Sequence, residues 1–125
     1  MESLMLCKQN KIEKIINLKL IPTYAFWRMY SFNAELTKHK DRPACEVSVT
    51  ININGDGTEW PIFMNGNPIT LQHGDGAIYL GCEVEHWREP FLGDWQSQVF
   101  MHYVNADGTY ANQAKDGRPI FGIKK

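Results

Sequence analysis

The sequence is poor in cysteine and has no long apolar run. Its 125 residues include only Cys7, Cys45 and Cys82, which are widely spaced and form no Cys-x-x-Cys pair. This pattern does not indicate a zinc ribbon or a dithiol redox site, and it favours reduced, buried thiols. No apolar stretch approaches the roughly eighteen residues of a membrane-spanning helix, so no membrane segment is expected.

An excess of charge of one sign is also missing. The chain has 13 basic and 14 acidic residues and no basic run. Nucleic acid or an anionic membrane is therefore not expected as a partner. The opening residues, MESLMLCKQNK, have no basic start, no long apolar middle and no small-residue cleavage site. They do not indicate a signal peptide, and a cytoplasmic location is expected.

Helix signals are few, and they are confined to the N-terminus. Residues 8–18 place Ile12, Ile15 and Ile16 on one face at helical spacing, with lysines opposite. This spacing predicts one amphipathic helix packed on a larger body. The length of the chain fits a single domain over residues 1–125.

Beyond Pro22 the sequence alternates with the two-residue period of β-strands. The first such segment has Tyr24, Phe26, Arg28 and Tyr30 on one face and Ala25, Trp27 and Met29 on the other. The second has Val47, Val49, Ile51 and Ile53 on one face and Glu46, Ser48, Thr50 and Asn52 on the other. Successive side chains of a strand project to opposite faces of the sheet. Both segments are therefore predicted to be strands.

Turn sequences divide the rest of the chain into short strands. The turns NGDGTE, NGNP and HGDG separate the segments WPIFM, ITLQ, AIYLG and VEHWRE, and the loop PFLGD leads to WQSQVFMHYV. With a short extended piece at residues 38–41, about eight strands are expected, which is typical of a sandwich or small barrel. The predicted fold class is all-β with one N-terminal helix, a β core over residues 22–104 and an irregular, partly mobile tail over residues 105–125.

A histidine and an aspartate lie two positions apart near the start of this core. Side chains at positions i and i+2 of an extended segment project to the same side, so His39 and Asp41 can converge on one ion. His86 lies in a later predicted strand, and distant strands face each other across a closed barrel. Two histidines and one carboxylate form the facial triad of non-haem Fe(II) oxygenases. The alternative is that all three are satisfied or solvated side chains without a metal.

Other residues of suitable type are weaker candidates. His73 lies in a turn and is expected to be exposed. His102 is expected to be a core histidine bonded to a carbonyl group rather than a metal ligand. Trp60, Trp87 and Trp95 are expected to be core residues rather than a platform for a substrate.

The blocks that contain these residues resemble a known superfamily. HKDRPACE and GCEVEHWREPF, with the segments between and after them, are similar to the 2-oxoglutarate and Fe(II)-dependent dioxygenases, and among these to the prolyl-4-hydroxylase-like proteins of bacteria and marine phages. The resemblance runs from about Pro22 to the end of the chain. It implies a double-stranded β-helix, also called a jelly roll or cupin-like fold, in which His39, Asp41 and His86 hold Fe(II).

The resemblance also implies a chemistry. 2-Oxoglutarate would chelate the iron, and its oxidative decarboxylation to succinate and CO2 would drive hydroxylation of a C–H bond. Such enzymes bind the far carboxylate of 2-oxoglutarate with an Arg or Lys on the last strand, but residues 96–104 contain neither. Arg88 with Tyr30 is the substitute favoured here, because a guanidinium binds both oxygens of a carboxylate. Arg28 is a second candidate.

Several alternatives stay open. Arg88 could instead form an ion pair with Glu46, Glu85 or Glu89. The leading hypothesis is an oxygenase acting on a small molecule or a protein side chain. A non-catalytic cupin-like module that binds a metal or ligand is the second, and a cupin-type enzyme that works without 2-oxoglutarate is the third. A homodimer, through a barrel edge or the apolar stripe of the helix, is also left open.

Overall fold

The computed structural model describes residues 2–118, and Met1 and residues 119–125 lie outside the described part of the chain. Helix α1 spans Glu2–Ile16. The strands are β1 (Leu20–Ser31), β2 (Leu36–His39), β3 (Val47–Gly55), β4 (Ile62–Met64), β5 (Asn67–Ile69), β6 (Gly76–Tyr79), β7 (His86–Arg88) and β8 (Trp95–Asn105). Two 3-10 segments lie at Pro43–Cys45 and Ala111–Gly117. The predicted fold class, all-β with one N-terminal helix, is confirmed.

The strands form two four-stranded antiparallel sheets. The major sheet has the order β1-β8-β3-β6, and the minor sheet has the order β2-β7-β4-β5. The chain therefore crosses from one sheet to the other at every connection except the β4–β5 hairpin. This connectivity is that of a jelly roll, or double-stranded β-helix.

Helix α1 begins earlier in the chain than the predicted segment at residues 8–18. Its buried residues are Met5 and Ile12, and Ile16 packs beside them, whereas Ile15 is 62% exposed. The buried stripe thus includes Met5, which the isoleucine spacing alone does not indicate. The helix ends where Asn17 takes a left-handed conformation with φ 56°, a common C-terminal cap. No helix among the described residues is long and apolar enough to cross a membrane.

The two faces of the major sheet differ in character. The outer face packs on α1 and forms the main hydrophobic core, which contains Met5, Ile12, Leu20, Ala25, Val47, Val49, Val99, Met101 and Tyr103. The inner face lines the barrel, and its buried positions include Ser48, Thr50, Gln98, Phe100 and His102. The strands alternate as predicted, with the polar and aromatic set facing the interior.

The β4–β5 hairpin turns at Asn65 and Gly66. Both residues have positive φ, 50° and 88°, which is the signature of a type I′ turn. Because this turn needs only two residues, β5 already begins at Asn67. The strand expected in the segment ITLQ therefore lies earlier than predicted and ends at Ile69.

The C-terminal segment has more structure than the predicted irregular tail over residues 105–125. Strand β8 continues to Asn105, and Ala111–Gly117 is a 3-10 segment interrupted by non-helical backbone. Arg42 donates from Nη1 and Nη2 to the two carboxylate oxygens of Asp116, at 2.6 and 3.0 Å. This ion pair ties the segment to the barrel. The tail is thus more regular than predicted at residue 105 and in Ala111–Gly117, residues 106–110 are turns and bends, and residues 119–125 lie outside the described part.

Candidate metal centre

Two cross-strand histidines and one loop aspartate meet inside the barrel. His39 is the last residue of β2, His86 is the first residue of β7, and the two are register partners. Their ring centroids lie 4.4 Å apart. Asp41 lies two residues beyond the end of β2. The structure nevertheless brings all three predicted residues together.

The main chain holds Asp41 against Gly81, a residue that the sequence analysis missed. The Asp41 N–H donates to the Gly81 carbonyl oxygen at 2.8 Å, and the Gly81 N–H donates to the Glu46 carbonyl oxygen at 3.1 Å. A Cβ atom at position 81 would lie 2.5 Å from Asp41 Oδ2 and would overlap the Cys45 carbonyl oxygen. Only glycine allows this approach. A glycine at the end of a strand segment is the signal that could have indicated it.

The three side chains direct one atom each to the same point. His39 Nε2 and His86 Nε2 lie 3.2 and 3.3 Å from Asp41 Oδ1. Behind the rings, His39 Nδ1 bonds the Thr37 carbonyl oxygen at 2.6 Å, and His86 Nδ1 bonds that of Val84 at 2.8 Å. A carbonyl oxygen only accepts, so each Nδ1 carries the proton. Each Nε2 is thereby left to present its lone pair to Asp41.

This arrangement calls for a cation between the three atoms. Two nitrogen lone pairs and a carboxylate oxygen repel one another at such distances unless a metal ion or a proton lies between them. Metal bonds of about 2.0–2.1 Å at right angles separate neighbouring donors by about 3 Å, close to the observed spacing. All the donor atoms lie within 4.8 Å of one another, and the set offers three protein ligands, one from each residue. Such a set fits an ion with open coordination positions, such as Fe(II), better than a closed structural zinc site.

The two buried histidines differ in their electrostatics. Burial by itself would lower the pKa of His86, but the hydrogen bonds to Asp41 and Val84 and the charge of Asp41 outweigh it, and the pKa is raised. His102 lies outside the triad, and its Nδ1 bonds Ser48 Oγ at 2.7 Å. Burial lowers the pKa of His102 to about 4. His102 is therefore a neutral core histidine, as predicted, although its partner is a hydroxyl rather than a carbonyl.

The triad faces a partly open cavity of about 100 Å³. Besides the triad, the cavity is lined by Tyr24, Phe26, Arg28, Tyr30, Leu36, Cys45, Tyr79, Phe100 and His102. Tyr79 packs its ring against His86 with the centroids 4.9 Å apart. Spacing along the chain does not single out Tyr79, because its contact with His86 depends on the pairing of the strands.

Arg88 is buried inside the barrel, and no carboxylate of residues 2–118 lies within 4 Å of it. It is 3% exposed, and its Nη1 donates to the Trp60 carbonyl oxygen at 2.8 Å. Its Nε and Nη2 have no hydrogen-bond partner among the described residues. The alternative of an ion pair with Glu46, Glu85 or Glu89 is wrong, since none of these carboxylates lies within 4 Å of it. Burial lowers the pKa of Arg88 to about 10, so the guanidinium stays charged at neutral pH.

Tyr30, the predicted companion of Arg88, lies beside it. Tyr30 is 6% exposed and packs edge-on against Trp60 with the ring centroids 4.9 Å apart. The Arg88 guanidinium lies 4.7 Å from the centroid of the same Trp60 ring. Tyr30 lines the cavity next to the triad, whereas Arg88 is not among its lining residues.

His73 and the three tryptophans lie away from the cavity, whereas Arg28 lines it. His73 is exposed in its turn, as predicted. Of the three tryptophans expected in the core, only Trp60 is buried. Trp87 stacks on Phe63 at 5.3 Å between centroids and is half-buried, and Trp95 is 37% exposed. The core prediction is therefore wrong for Trp95.

Several solved structures share this fold, while no family model and no curated protein sequence match the chain. A 2OG-Fe(II) oxygenase family oxidoreductase from Burkholderia pseudomallei superposes with a TM-score of 0.61 and 15% identity, over 78% of this chain and 52% of that one. A predicted oxalate decarboxylase from Thermotoga maritima gives a TM-score of 0.54 and 14% identity, over 74% and 72%. The plu4264 protein from Photorhabdus luminescens gives 0.51 and 14%, over 71% and 69%.

These likenesses, together with the strand order, show the class of fold. The protein is a cupin-like double-stranded β-helix, with a His-His-Asp cluster in its interior. The chain spans about half the length of the Burkholderia oxidoreductase. At such low identities a common fold does not transfer an activity. The narrower resemblance to prolyl-4-hydroxylase-like proteins stays a prediction.

Proposed function

We propose that the protein is an Fe(II)- and 2-oxoglutarate-dependent oxygenase that hydroxylates a C–H bond of a small molecule or a protein side chain. The observation that carries this proposal is the convergence of His39 Nε2, His86 Nε2 and Asp41 Oδ1 beside a partly open cavity. Two imidazoles and one carboxylate on one side of an iron ion leave positions free for a cosubstrate and dioxygen. A structural zinc site would add a fourth protein ligand.

Arg88 supports a cosubstrate that carries a second carboxylate. Its two unpartnered atoms, Nε and Nη2, form one edge of the guanidinium, and such an edge donates two parallel hydrogen bonds to a carboxylate. A buried cation without a counter-charge is unfavourable, so an anion that pairs with it relieves that cost. We assign the far carboxylate of 2-oxoglutarate to Arg88, with the hydroxyl of Tyr30 as a second donor.

The residues of the chain then have separate roles. Bound Fe(II) and 2-oxoglutarate supply the oxidising power: one atom of dioxygen enters the substrate as a hydroxyl group, and the other enters succinate as CO2 is lost. His39 and His86 hold the ion through Nε2, while their Nδ1 bonds to the backbone fix the ring orientations. Asp41 supplies negative charge, and Gly81 keeps its carboxylate in place. Tyr79 packs against the buried His86 ring in an edge-type contact and helps to keep water from it.

A non-catalytic cupin-like module that binds a metal or small ligand is the second candidate function. It is favoured by the inner face of β8, where positions 96, 98, 100 and 102 are Gln, Gln, Phe and His, with no Arg or Lys. It is also favoured by the cavity beside the triad, whose lining does not include Arg88. A cosubstrate that binds both the metal ion and Arg88 would have to span the distance between the triad and the guanidinium.

Anaerobic addition of Fe(II) and then 2-oxoglutarate tests the proposal. Chelation of iron by the 2-oxo acid gives a weak visible charge-transfer band, which we expect in the native protein and not in His39→Ala. His73→Ala is the matched control, because it removes a histidine that lies exposed in a turn. Iron binding without the band would reject the cosubstrate and favour the module. Absence of iron binding would reject the oxygenase and would leave the module only with another metal or a small ligand.

A further inference from the structure

One wall of the cavity, built by β1 and β8, is aromatic. Phe26 and Phe100 stack with their ring centroids 4.8 Å apart and their planes 20° from parallel. Tyr24 continues the stack at 5.9 Å from Phe26 and 10° from parallel. These rings and the triad line the same cavity. A ligand in the cavity is therefore enclosed by aromatic side chains and by the candidate metal ligands.

The next inward-facing residue on β1 after Phe26 is Arg28. Residues two apart on a strand are separated by roughly 7 Å. The distance from the Phe26 ring to the Arg28 guanidinium is therefore similar to the length of a small aromatic acid. Arg28 lines the cavity and is exposed to solvent. Its Cζ lies 5.5 Å from the centroid of the Tyr30 ring. None of the described carboxylates lies within 4 Å of it.

The two arginines of the barrel differ in exposure and in position, and this difference suits each of them to a different carboxylate. Arg88 is 3% exposed and lies outside the lining of the cavity, whereas Arg28 is exposed and lies within it. A buried guanidinium suits a cosubstrate that is enclosed during the reaction, and an exposed one suits a ligand that enters from solvent. The cavity has a volume of about 100 Å³, which is less than the roughly 300 Å³ of the smallest sites for drug-sized ligands. It therefore suits a small ligand.

We infer that the substrate is a small planar or aromatic carboxylate, which packs against the aromatic wall of Phe26 and Phe100 and pairs with Arg28. The inference rests on the proposed oxygenase function, since it names the substrate class of that same site. Contact with the aromatic wall orients the ring of the substrate, and the ion pair with Arg28 sets how far it enters. A carbon atom of the substrate is thereby held towards His39, Asp41 and His86.

Binding of phenylacetate to the full chain loaded with Zn(II) tests this inference without turnover. Titration calorimetry compares phenylacetate with 2-phenylethanol, a neutral probe of similar shape, each with and without 2-oxoglutarate. We expect phenylacetate to bind about tenfold more tightly, because a charge-assisted hydrogen bond distinguishes the two. We expect Arg28→Gln to lose this preference. Lys14→Gln, which removes an exposed charge from α1, is the matched control and should keep it.

Two further variants assign the site. Phe26→Leu removes the ring surface and should weaken binding of both probes alike. Measured without 2-oxoglutarate, Arg88→Met should keep the preference for phenylacetate; loss of this preference would place the probe in the site assigned to 2-oxoglutarate and would overturn the inference. Equal binding of the two probes to the native protein, or no binding of either, would overturn the inference. Phenylacetate binding to a protein that gives no charge-transfer band with 2-oxoglutarate would reject the oxygenase and leave the aromatic acid site standing.

Discussion

His39 and His86 lie directly opposite each other on neighbouring strands, and both direct Nε2 to a single oxygen, Asp41 Oδ1, at 3.2 and 3.3 Å. The Thr37 and Val84 carbonyl oxygens fix both rings from behind. The side chains are therefore in place before any ion arrives, and little conformational entropy is lost on binding. Protons and metal ions must compete for the same nitrogen atoms.

This competition predicts opposite pH dependences of stability with and without metal. In the metal-free protein the pKa of His86 is raised, so the folded state binds this proton more tightly than the unfolded state. The resulting stabilisation is complete below the ordinary histidine pKa of about 6.5, and it is lost as pH rises through the folded-state value. Metal-loaded protein should instead gain stability with rising pH, because the ligands must be deprotonated.

Urea unfolding from about pH 6.5 upwards, with and without Zn(II), measures both trends. His102 acts in the opposite sense, because its folded-state pKa is lowered to about 4. Above about pH 6.5 His102 is neutral in both the folded and the unfolded state, so it does not change the slope of stability with pH in this range. His86→Gln should remove the slope of the metal-free protein. Equal slopes with and without metal would show that the ion does not bind at these nitrogens.

Replacing Gly81 by alanine should weaken metal binding. The added methyl group would lie 2.5 Å from Asp41 Oδ2, so the carboxylate or its loop must move. We expect the metal affinity to fall by about tenfold or more, as for other residues that support ligands. Competition with a chelator measures the affinity. Gly108→Ala is the control, since its Cβ would meet only Asn105, at 3.1 Å or more, and an equal loss in both variants would refute a specific role for Gly81.

Replacing Arg88 by methionine should separate stability from ligand binding. The variant removes a buried cation with two unpartnered nitrogens, and apolar replacement of buried charge is often neutral or stabilising by about 1–4 kcal/mol. We expect the free energy of unfolding of the ligand-free protein to be unchanged or higher. The affinity for 2-oxoglutarate should fall by about 2 kcal/mol, roughly 30-fold in Kd.

Arg88→Lys is the informative companion of that variant. It keeps a positive charge but loses the fork that binds both carboxylate oxygens, so its affinity for 2-oxoglutarate should lie between those of the native protein and Arg88→Met. Thermal melting and titration calorimetry measure the two quantities. Unchanged 2-oxoglutarate affinity in Arg88→Met would remove Arg88 from the site.

The cysteines should react with iodoacetamide at very different rates. Cys7 is exposed, contrary to the expectation of buried thiols, whereas Cys45 is buried beside the Tyr24 hydroxyl, 3.1 Å from its Sγ. Burial raises the pKa of Cys45 to about 12, which keeps it as the unreactive thiol. Peptide mapping of native protein should find Cys7 modified and Cys45 intact until urea is added. Equal modification would mean that the loop after Asp41 opens freely.

Periodicity predicted the long strands well, because alternation is a local property of the backbone. It did not reveal which face would be inside. Val49 and Thr50 illustrate the difference: Val49 packs in the core under α1, and Thr50 is buried in the barrel, where its hydroxyl donates to Gln98 Oε1 at 3.1 Å. An apolar face could equally have lined the barrel. Only the packing of α1 on the outside decides between the two.

The site was accessible from the sequence only in part. His39 and Asp41 are close in sequence, and their approach follows from a strand and the loop after it. The partnership of His39 with His86 depends on strand pairing, and β7 is only three residues long, too short for periodicity to define. Gly81 and Tyr79 belong to the site because of contacts across the barrel, which spacing along the chain does not encode.

The main apolar core lies between α1 and the outer face of the major sheet, and the ligand cavity lies on the other face of the same strands. A change at an inward position such as Phe100 alters the cavity, while the outward neighbours Val99 and Met101 keep their contacts with the core. Selection can therefore act on the two faces largely independently. A scaffold organised in this way can acquire a new ligand by successive substitutions without passing through an unfolded ancestor.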